Sequence, residues 1–147
     1  MINTPSYFAL EELVCPHVFE KYKIRAWMFL DQRLLTTIDT IRDRLGHSIY
    51  VNDWVMGGTY DERGLRCLRC DLVKAKIQVG EIYMSAHCFG KALDFSVSGL
   101  NAEEVRLWIV ARAGWWPYPI RLEKDVDWIH LDVWDSNTDQ KVYIFSA

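Results

Sequence analysis

Apolar residues recur every three or four positions between Leu30 and Leu45, which is the spacing of one face of an amphipathic helix. Gly46 follows the last of them and is well suited to end that helix. The same pattern, in weaker form, predicts helices over residues 10–14, 71–79 and 101–113. Asn101 can cap the last of these, and the two glutamates that follow it suit the positive end of the helix dipole.

Two later segments alternate between apolar and polar positions, as strands with one buried face do. In Ala92–Val97 this alternation turns Asp94 away from the apolar face, where it shares the opposite face with the small residues Ala92 and Ser96. In Ile129–Trp134 it places His130 on the face opposite the aliphatic residues. Further strands are predicted over residues 48–55, 121–122 and 141–145. Because helices and strands show few βαβ alternations, their order predicts an α+β fold.

Length and composition indicate one domain over residues 1–147. Half of the 147 residues are apolar, which is enough to build a core without disulfide staples. With a net charge of −3, the chain does not have the excess of basic residues that is typical of nucleic-acid-binding proteins, so no nucleic-acid partner is expected. No apolar run approaches the roughly 20 residues that a membrane-spanning helix needs, so no membrane insertion is expected. We expect a monomer.

The four cysteines are too few for a disulfide framework, and we expect free thiols at Cys15, Cys67, Cys70 and Cys88. Cys67 and Cys70 form a CxxC pair without the thioredoxin-like context of a redox motif. A structural zinc site would need two more ligands, and only Cys15 with His17 or His47 is available. Both histidines are expected to be structural or exposed, and the role of the CxxC pair stays open.

Residues 85–94 carry the strongest chemical signal. His87 and Asp94 are separated by seven positions, with Gly90 between them to allow an unusual turn, and His130 follows on a later predicted strand. Aspartate is depleted in strands, so a half-buried Asp94 needs a partner. Two histidines and one carboxylate form the ligand set of a catalytic zinc site, which leaves a fourth position for water.

This segment resembles the SxHxxGxAxD signature of the M15 zinc peptidases. These enzymes include D-alanyl-D-alanine carboxypeptidases and dipeptidases, and the L-alanyl-D-glutamate endopeptidases of phage lysins. All of the fixed positions match, at Ser85, His87, Gly90, Ala92 and Asp94. The family's second motif places an acidic residue three positions before the last zinc histidine, as Asp127 stands before His130. The resemblance covers roughly residues 51–133.

The resemblance implies both a fold and a site. The fold would be a compact α+β domain with a central antiparallel sheet flanked by helices, shared with the hedgehog signalling domain. The cofactor would be Zn²⁺, with His87, Asp94 and His130 as ligands and Asp127 as the catalytic general base.

The position of Asp127 relative to the metal is the weakest part of this assignment. Residues three apart fall on opposite faces of a flat strand, so Asp127 must precede the strand or be re-aimed by a bulge. Glu123 and Asp125 are rival bases. Asp132 shares a strand face with His130, and we expect it to be a surface carboxylate or to fix the imidazole of one of the ligands rather than to bind metal.

Members of the family commonly use an arginine upstream of the signature to hold the substrate. Arg63 and Arg66 are both candidates, since a guanidinium binds carboxylates bidentately. The alternative is that both are surface arginines paired with Asp61 and Glu62. Ser85 is a further substrate-binding candidate, although it could equally fix the local turn.

The expected function is a zinc-dependent metallopeptidase, a hydrolase that cleaves peptidoglycan stem peptides in cell wall degradation. Carboxypeptidase and endopeptidase activities both remain open. The N-terminus lacks the pattern of a signal peptide, so we expect the protein to be synthesised in the cytoplasm. This suits an endolysin that is encoded by a phage or prophage and released to the cell wall. The alternative is a non-catalytic zinc-containing module of the same fold that binds the wall or forms part of a virion.

Overall fold

The α+β class expected from the sequence is confirmed in a computed structural model that describes residues 1–147. The helices are α1 (Leu10–Leu13), α2 (Pro16–Tyr22), α3 (Gln32–Leu45), α4 (Asp71–Gln78) and α5 (Ala102–Ala111). The strands are β1 (Ile49–Tyr50), β2 (Ala92–Val97), β3 (Ile120–Glu123), β4 (Ile129–Asp132) and β5 (Val142–Phe145). Short 3₁₀ turns cover Lys23–Phe29, Trp54–Met56, Ala86–Phe89 and Ala113–Trp115.

Both ends of α3 and the start of α5 are those that the sequence indicates, whereas α5 ends at Ala111 rather than near residue 113. The side chain of Asp31 accepts a hydrogen bond from the backbone of Arg33 and starts α3, and Gly46 closes it in a left-handed conformation. Asn101 caps α5, where its side chain and that of Glu104 form a reciprocal capping box. Helix α2 is not among the helices predicted from the sequence, although Pro16 occupies its first position, where proline is favoured.

The strands form one sheet in the order β1-β2-β4-β3-β5. Strand β4 pairs antiparallel with β2 on one side and with β3 on the other. The expectation of a purely antiparallel central sheet is wrong, because β5 lies parallel to β3. The chain reverses after β4, passes β3 and adds β5 at the edge, so β5 takes the direction that β3 already has.

The strand expected over residues 48–55 is also wrong in extent, since only Ile49–Tyr50 pairs in the sheet. Beyond this pair the chain turns towards the N-terminal region. The backbone N–H of Asn52 donates to the carbonyl of Glu12 at 3.0 Å, and its side chain donates to the carbonyl of Val14 at 3.1 Å. These long-range bonds outweigh the strand pattern of the segment.

One face of the sheet is apolar, and the other carries polar residues that include Asp94 and His130. Leu93 and Phe95 of β2 and Ile129 and Leu131 of β4 are fully buried in the main hydrophobic cluster, together with residues of every helix. The alternate positions of these strands therefore project from the opposite face. None of the helices combines the length and apolar character needed to cross a membrane.

Gly90 is required where the 3₁₀ turn passes into β2. Its backbone has φ +66°, and a Cβ atom there would collide with the carbonyl of Phe29. The expectation of an unusual glycine turn at this position is confirmed. Gly46 has a similar φ of +72°, but a Cβ atom on it would meet nothing within 4 Å.

Substitution of Gly90 should therefore destabilise the protein more than substitution of Gly46. G46A pays for a left-handed backbone, about 1–2 kcal/mol, whereas G90A adds the collision, about 1–3 kcal/mol more. Urea denaturation of both variants measures the difference in the free energy of unfolding. Equal losses would contradict the close approach of Phe29.

Candidate metal centre

His87, Asp94 and His130 meet on the polar face of the sheet. His87 lies in the 3₁₀ turn Ala86–Phe89, and Asp94 and His130 are directly opposite each other on the paired strands β2 and β4. The three ligand atoms lie within 4.8 Å of one another, in an arrangement that can hold a metal ion. The structure thus brings His130, 36 positions beyond Asp94 in the chain, to the local pair of His87 and Asp94.

The spacing of the three groups suits a small cation. Ligands held tetrahedrally at about 2.05 Å from zinc lie about 3.3 Å from one another. Nε2 of His87 is 3.3 Å from Nδ1 of His130 and 3.3 Å from Oδ2 of Asp94. Nδ1 of His130 is closer to Oδ1 of Asp94, at 2.8 Å. The donor set of two imidazoles and a carboxylate therefore fits zinc in both chemistry and size.

The ring of His87 is oriented by its other nitrogen. Nδ1 lies 2.9 Å from the carbonyl oxygen of Gly64 and must donate to it, which leaves the lone pair of Nε2 facing the cluster. Burial lowers the pKa of His87, so the neutral form that binds metals is favoured. The Ser85 hydroxyl accepts from the backbone N–H of His87 at 3.3 Å and so caps the turn.

His130 is held from the opposite side by Asp132. Nε2 of His130 lies 2.9 Å from Asp132, and Arg121 binds the same buried carboxylate with two hydrogen bonds of 2.7 and 2.9 Å. Burial works to lower the pKa of His130, but hydrogen bonds to Asp132 and Asp94 outweigh it and raise the pKa to about 9. Asp132 contacts His130 from outside the ligand group, as expected from the sequence.

Asp94 is fixed by Arg66. Nη2 of Arg66 donates to Oδ2 of Asp94 at 2.9 Å, and Nη1 donates to the hydroxyl of Tyr83 at 2.8 Å. Burial opposes ionisation of Asp94, yet its hydrogen bonds with His130 and His87 hold its pKa well below the usual range. A carboxylate facing two imidazole nitrogens requires a cation between them, which is either a proton on His130 or a metal ion.

A cavity of about 460 Å³ opens over the three ligands. This volume lies within the range of small-ligand sites. Its wall combines two arginines, two carboxylates besides that of Asp94, and several aromatic rings: Arg66, Arg121, Glu123, Asp132, Tyr83, Trp128 and Phe145. The cavity therefore offers both charged and apolar contacts to a ligand beside the metal.

The two leading candidates for the base line different cavities. Continuing the β3–β4 register by one residue places Glu123 beside His130, and Glu123 lines the cavity. Asp127 lies in the bend before β4, as the sequence required, but is exposed and lines a neighbouring cavity that includes Ser96. Asp125 lines that same neighbouring cavity.

The bend that carries Asp127 is anchored from α5. Arg106 is buried, and its guanidinium donates to the carbonyl oxygens of Val126 and Trp128 at 2.9 and 3.0 Å. The backbone on both sides of Asp127 is therefore held in place, while Asp127 itself is exposed and lines only the neighbouring cavity.

The two upstream arginines have different surroundings. Arg66 lines the metal cavity and binds Asp94, whereas Arg63 donates to the hydroxyl of Ser96 at 2.9 Å and lies over the ring of Tyr60. Neither forms an ion pair with the carboxylates of Asp61 or Glu62, so the surface-pair alternative is not observed. Nη1 of Arg63 is buried and lacks a hydrogen-bond partner.

Arg121 is the supporting residue that the sequence reasoning missed. Alternation along β3 could have placed it on the polar face with Glu123, since Ile120 and Leu122 are buried. The alternation alone does not identify the partner of Arg121. That partner follows from the strand order, because β3 neighbours β4 and brings Arg121 opposite Asp132.

His17 and His47 differ in their surroundings. His47 is exposed, as expected, with Nδ1 2.9 Å from the carbonyl oxygen of Ser98. His17, also expected to be structural or exposed, lies in a second group of metal-ligating side chains with Cys15, Cys67 and Cys70.

No protein-family model, curated protein or solved structure matches this chain. The likeness to the M15 peptidases therefore rests on the motif residues of the sequence alone.

The Asp132–His130 contact should strengthen metal binding. D132N removes the charge that orients His130, and loss of such an outer partner typically weakens metal affinity about 10- to 100-fold. D139N, at an exposed aspartate, is the matched control. Competition with a chromophoric chelator measures zinc affinity, and near-UV circular dichroism verifies folding. A folded D132N protein with unchanged zinc affinity would contradict the role of Asp132.

Proposed function

We propose that this protein is a zinc-dependent peptidase of the M15 type that hydrolyses peptide bonds in peptidoglycan stem peptides. The observation that carries the proposal is the convergence of His87, Asp94 and His130 at the floor of an open cavity. We further propose that the fold is of the hedgehog type, with β5 added in parallel at the sheet edge.

The donor set supports hydrolytic chemistry more than a purely structural metal. Structural zinc sites have four protein ligands, whereas catalytic sites have three and leave a position for water. Here three such residues meet, no fourth His, Cys, Asp or Glu belongs to the group, and all three line the cavity. A zinc ion held by these residues would acidify a bound water and polarise the carbonyl oxygen of the scissile bond.

The chain supplies the proton transfers. In the proposed mechanism a carboxylate beside the metal accepts the proton of the attacking water and passes it to the leaving amine as the carbon–nitrogen bond breaks. The motif assigns this role to Asp127. Glu123 is the rival, favoured by its place on the cavity wall.

The substrate class comes from the motif, and the cavity is compatible with it. Stem peptides carry free carboxylates, and Arg66 and Arg121 both line the cavity. Three N–H groups of Arg66 and two of Arg121 already bind the protein, and the others remain for a substrate. Trp128 and Phe145 offer apolar surface beside them. Arg66 thus both orients Asp94 and borders the substrate space.

Hydrolysis should depend on the metal. The protein incubated with a defined muropeptide should release new amine termini, a chelator should abolish this release, and added zinc should restore it. Mass spectrometry of the products identifies the bond and separates carboxypeptidase from endopeptidase cleavage. A protein that co-sediments with purified cell walls but releases no amine would contradict the proposal and favour the non-catalytic binding module.

Substitution of Asp127 should separate catalysis from metal binding. D127N retains the shape of the side chain but cannot accept a proton, so we expect kcat to fall by about 10²- to 10⁴-fold with zinc content unchanged. E123Q is the matched control and should keep most of the activity. The reverse result, an active D127N and an inactive E123Q that still binds zinc, would contradict the assignment and transfer the role to Glu123.

A further inference from the structure

Four side chains outside the group of His87, Asp94 and His130 also converge. Cys15 and His17 lie at the start of α2, and Cys67 and Cys70 flank the turn before α4. Their sulfur and nitrogen atoms all lie within 4.8 Å of one another. Sγ of Cys67 is 3.6 Å and Sγ of Cys70 is 3.9 Å from Nδ1 of His17.

These distances are those of a metal coordination sphere. With Zn–S bonds of about 2.3 Å and a Zn–N bond of about 2.05 Å, tetrahedral geometry places sulfur and nitrogen about 3.6 Å apart. Three thiols and one imidazole complete the four positions of a closed structural zinc site. The remaining cysteine, Cys88, lies outside the group.

Backbone hydrogen bonds join the two segments that carry these residues. The N–H of Cys15 donates to the carbonyl of Leu65 at 3.1 Å, and the N–H of Leu65 donates to the carbonyl of Leu13 at 2.9 Å. Within the turn, the N–H of Arg69 points at Sγ of Cys67, at 3.4 Å. N–H groups directed at sulfur suit the thiolate form that binds metals.

We propose that Cys15, His17, Cys67 and Cys70 bind a second, structural zinc ion that joins the N-terminal segment to the loop of residues 64–70. This loop supplies the Gly64 carbonyl that orients His87 and the Arg66 side chain that fixes Asp94. The structural ion therefore supports the first metal centre through the backbone of this loop.

Metal content and absorption spectra test the second site. The wild-type protein purified under reducing conditions should hold two zinc ions per chain, one for each group of ligands. The double variant C67S/C70S and the double variant H87Q/H130Q should each lose one ion, and C88S should keep both. After replacement by cobalt, the wild-type protein and H87Q/H130Q should show a thiolate-to-cobalt charge-transfer band, which the first centre cannot produce because it contains no sulfur.

The cobalt spectrum of the wild-type protein keeps the test decisive even if C67S/C70S fails to fold. Absence of the charge-transfer band in cobalt-loaded protein, or a disulfide among these cysteines in the reduced preparation, would overturn the proposal. H17C should keep the ion because four cysteines are also a structural zinc set, whereas H17A should weaken it. Lack of peptidase activity would leave all of these readouts unchanged, so the two proposals can fail separately.

Discussion

The register between β2 and β4 is the constraint on which the candidate site depends. It places Asp94 opposite His130, with both side chains on the face that points away from the core. A shift of one residue would turn one of them into the apolar layer and separate the pair. The apolar residues at alternate positions, Leu93 and Leu131 among them, resist such a shift because they would have to leave the core.

Across this face the charges alternate in sign. Arg121 contacts Asp132, which contacts His130, and His130 contacts Asp94, which in turn contacts Arg66. Buried charges are tolerated when each has a partner of opposite sign, and removal of one leaves its neighbours unpaired. A metal ion in place of the proton on His130 preserves the alternation, which explains how a set of buried ionisable groups can exist in a small domain.

Local patterns in the sequence predict much of this arrangement, but they do not encode the contacts between distant segments. The amphipathic helix ending at Gly46 and the strand Ala92–Val97 follow from periodicity and glycine chemistry within a few residues. The parallel placement of β5, the position of Arg121 opposite Asp132, and the early end of β1 each depend on pairing between distant segments. The group of His87, Asp94 and His130 can be predicted from residue types and spacing, whereas the backbone position of Asp127 depends on a contact with α5 that no local pattern encodes.

The way in which Arg106 anchors the bend before β4 leaves the side chains of that bend free to vary. Arg106 binds the carbonyl oxygens of Val126 and Trp128, which are atoms that every amino acid possesses, and makes no hydrogen bond with the side chains of the bend. The bend is therefore held independently of the side chains that it displays. Position 127 can exchange aspartate for a longer acid, and its neighbours can be redesigned, without loosening the anchor, so this segment is a natural place to alter selectivity by mutagenesis.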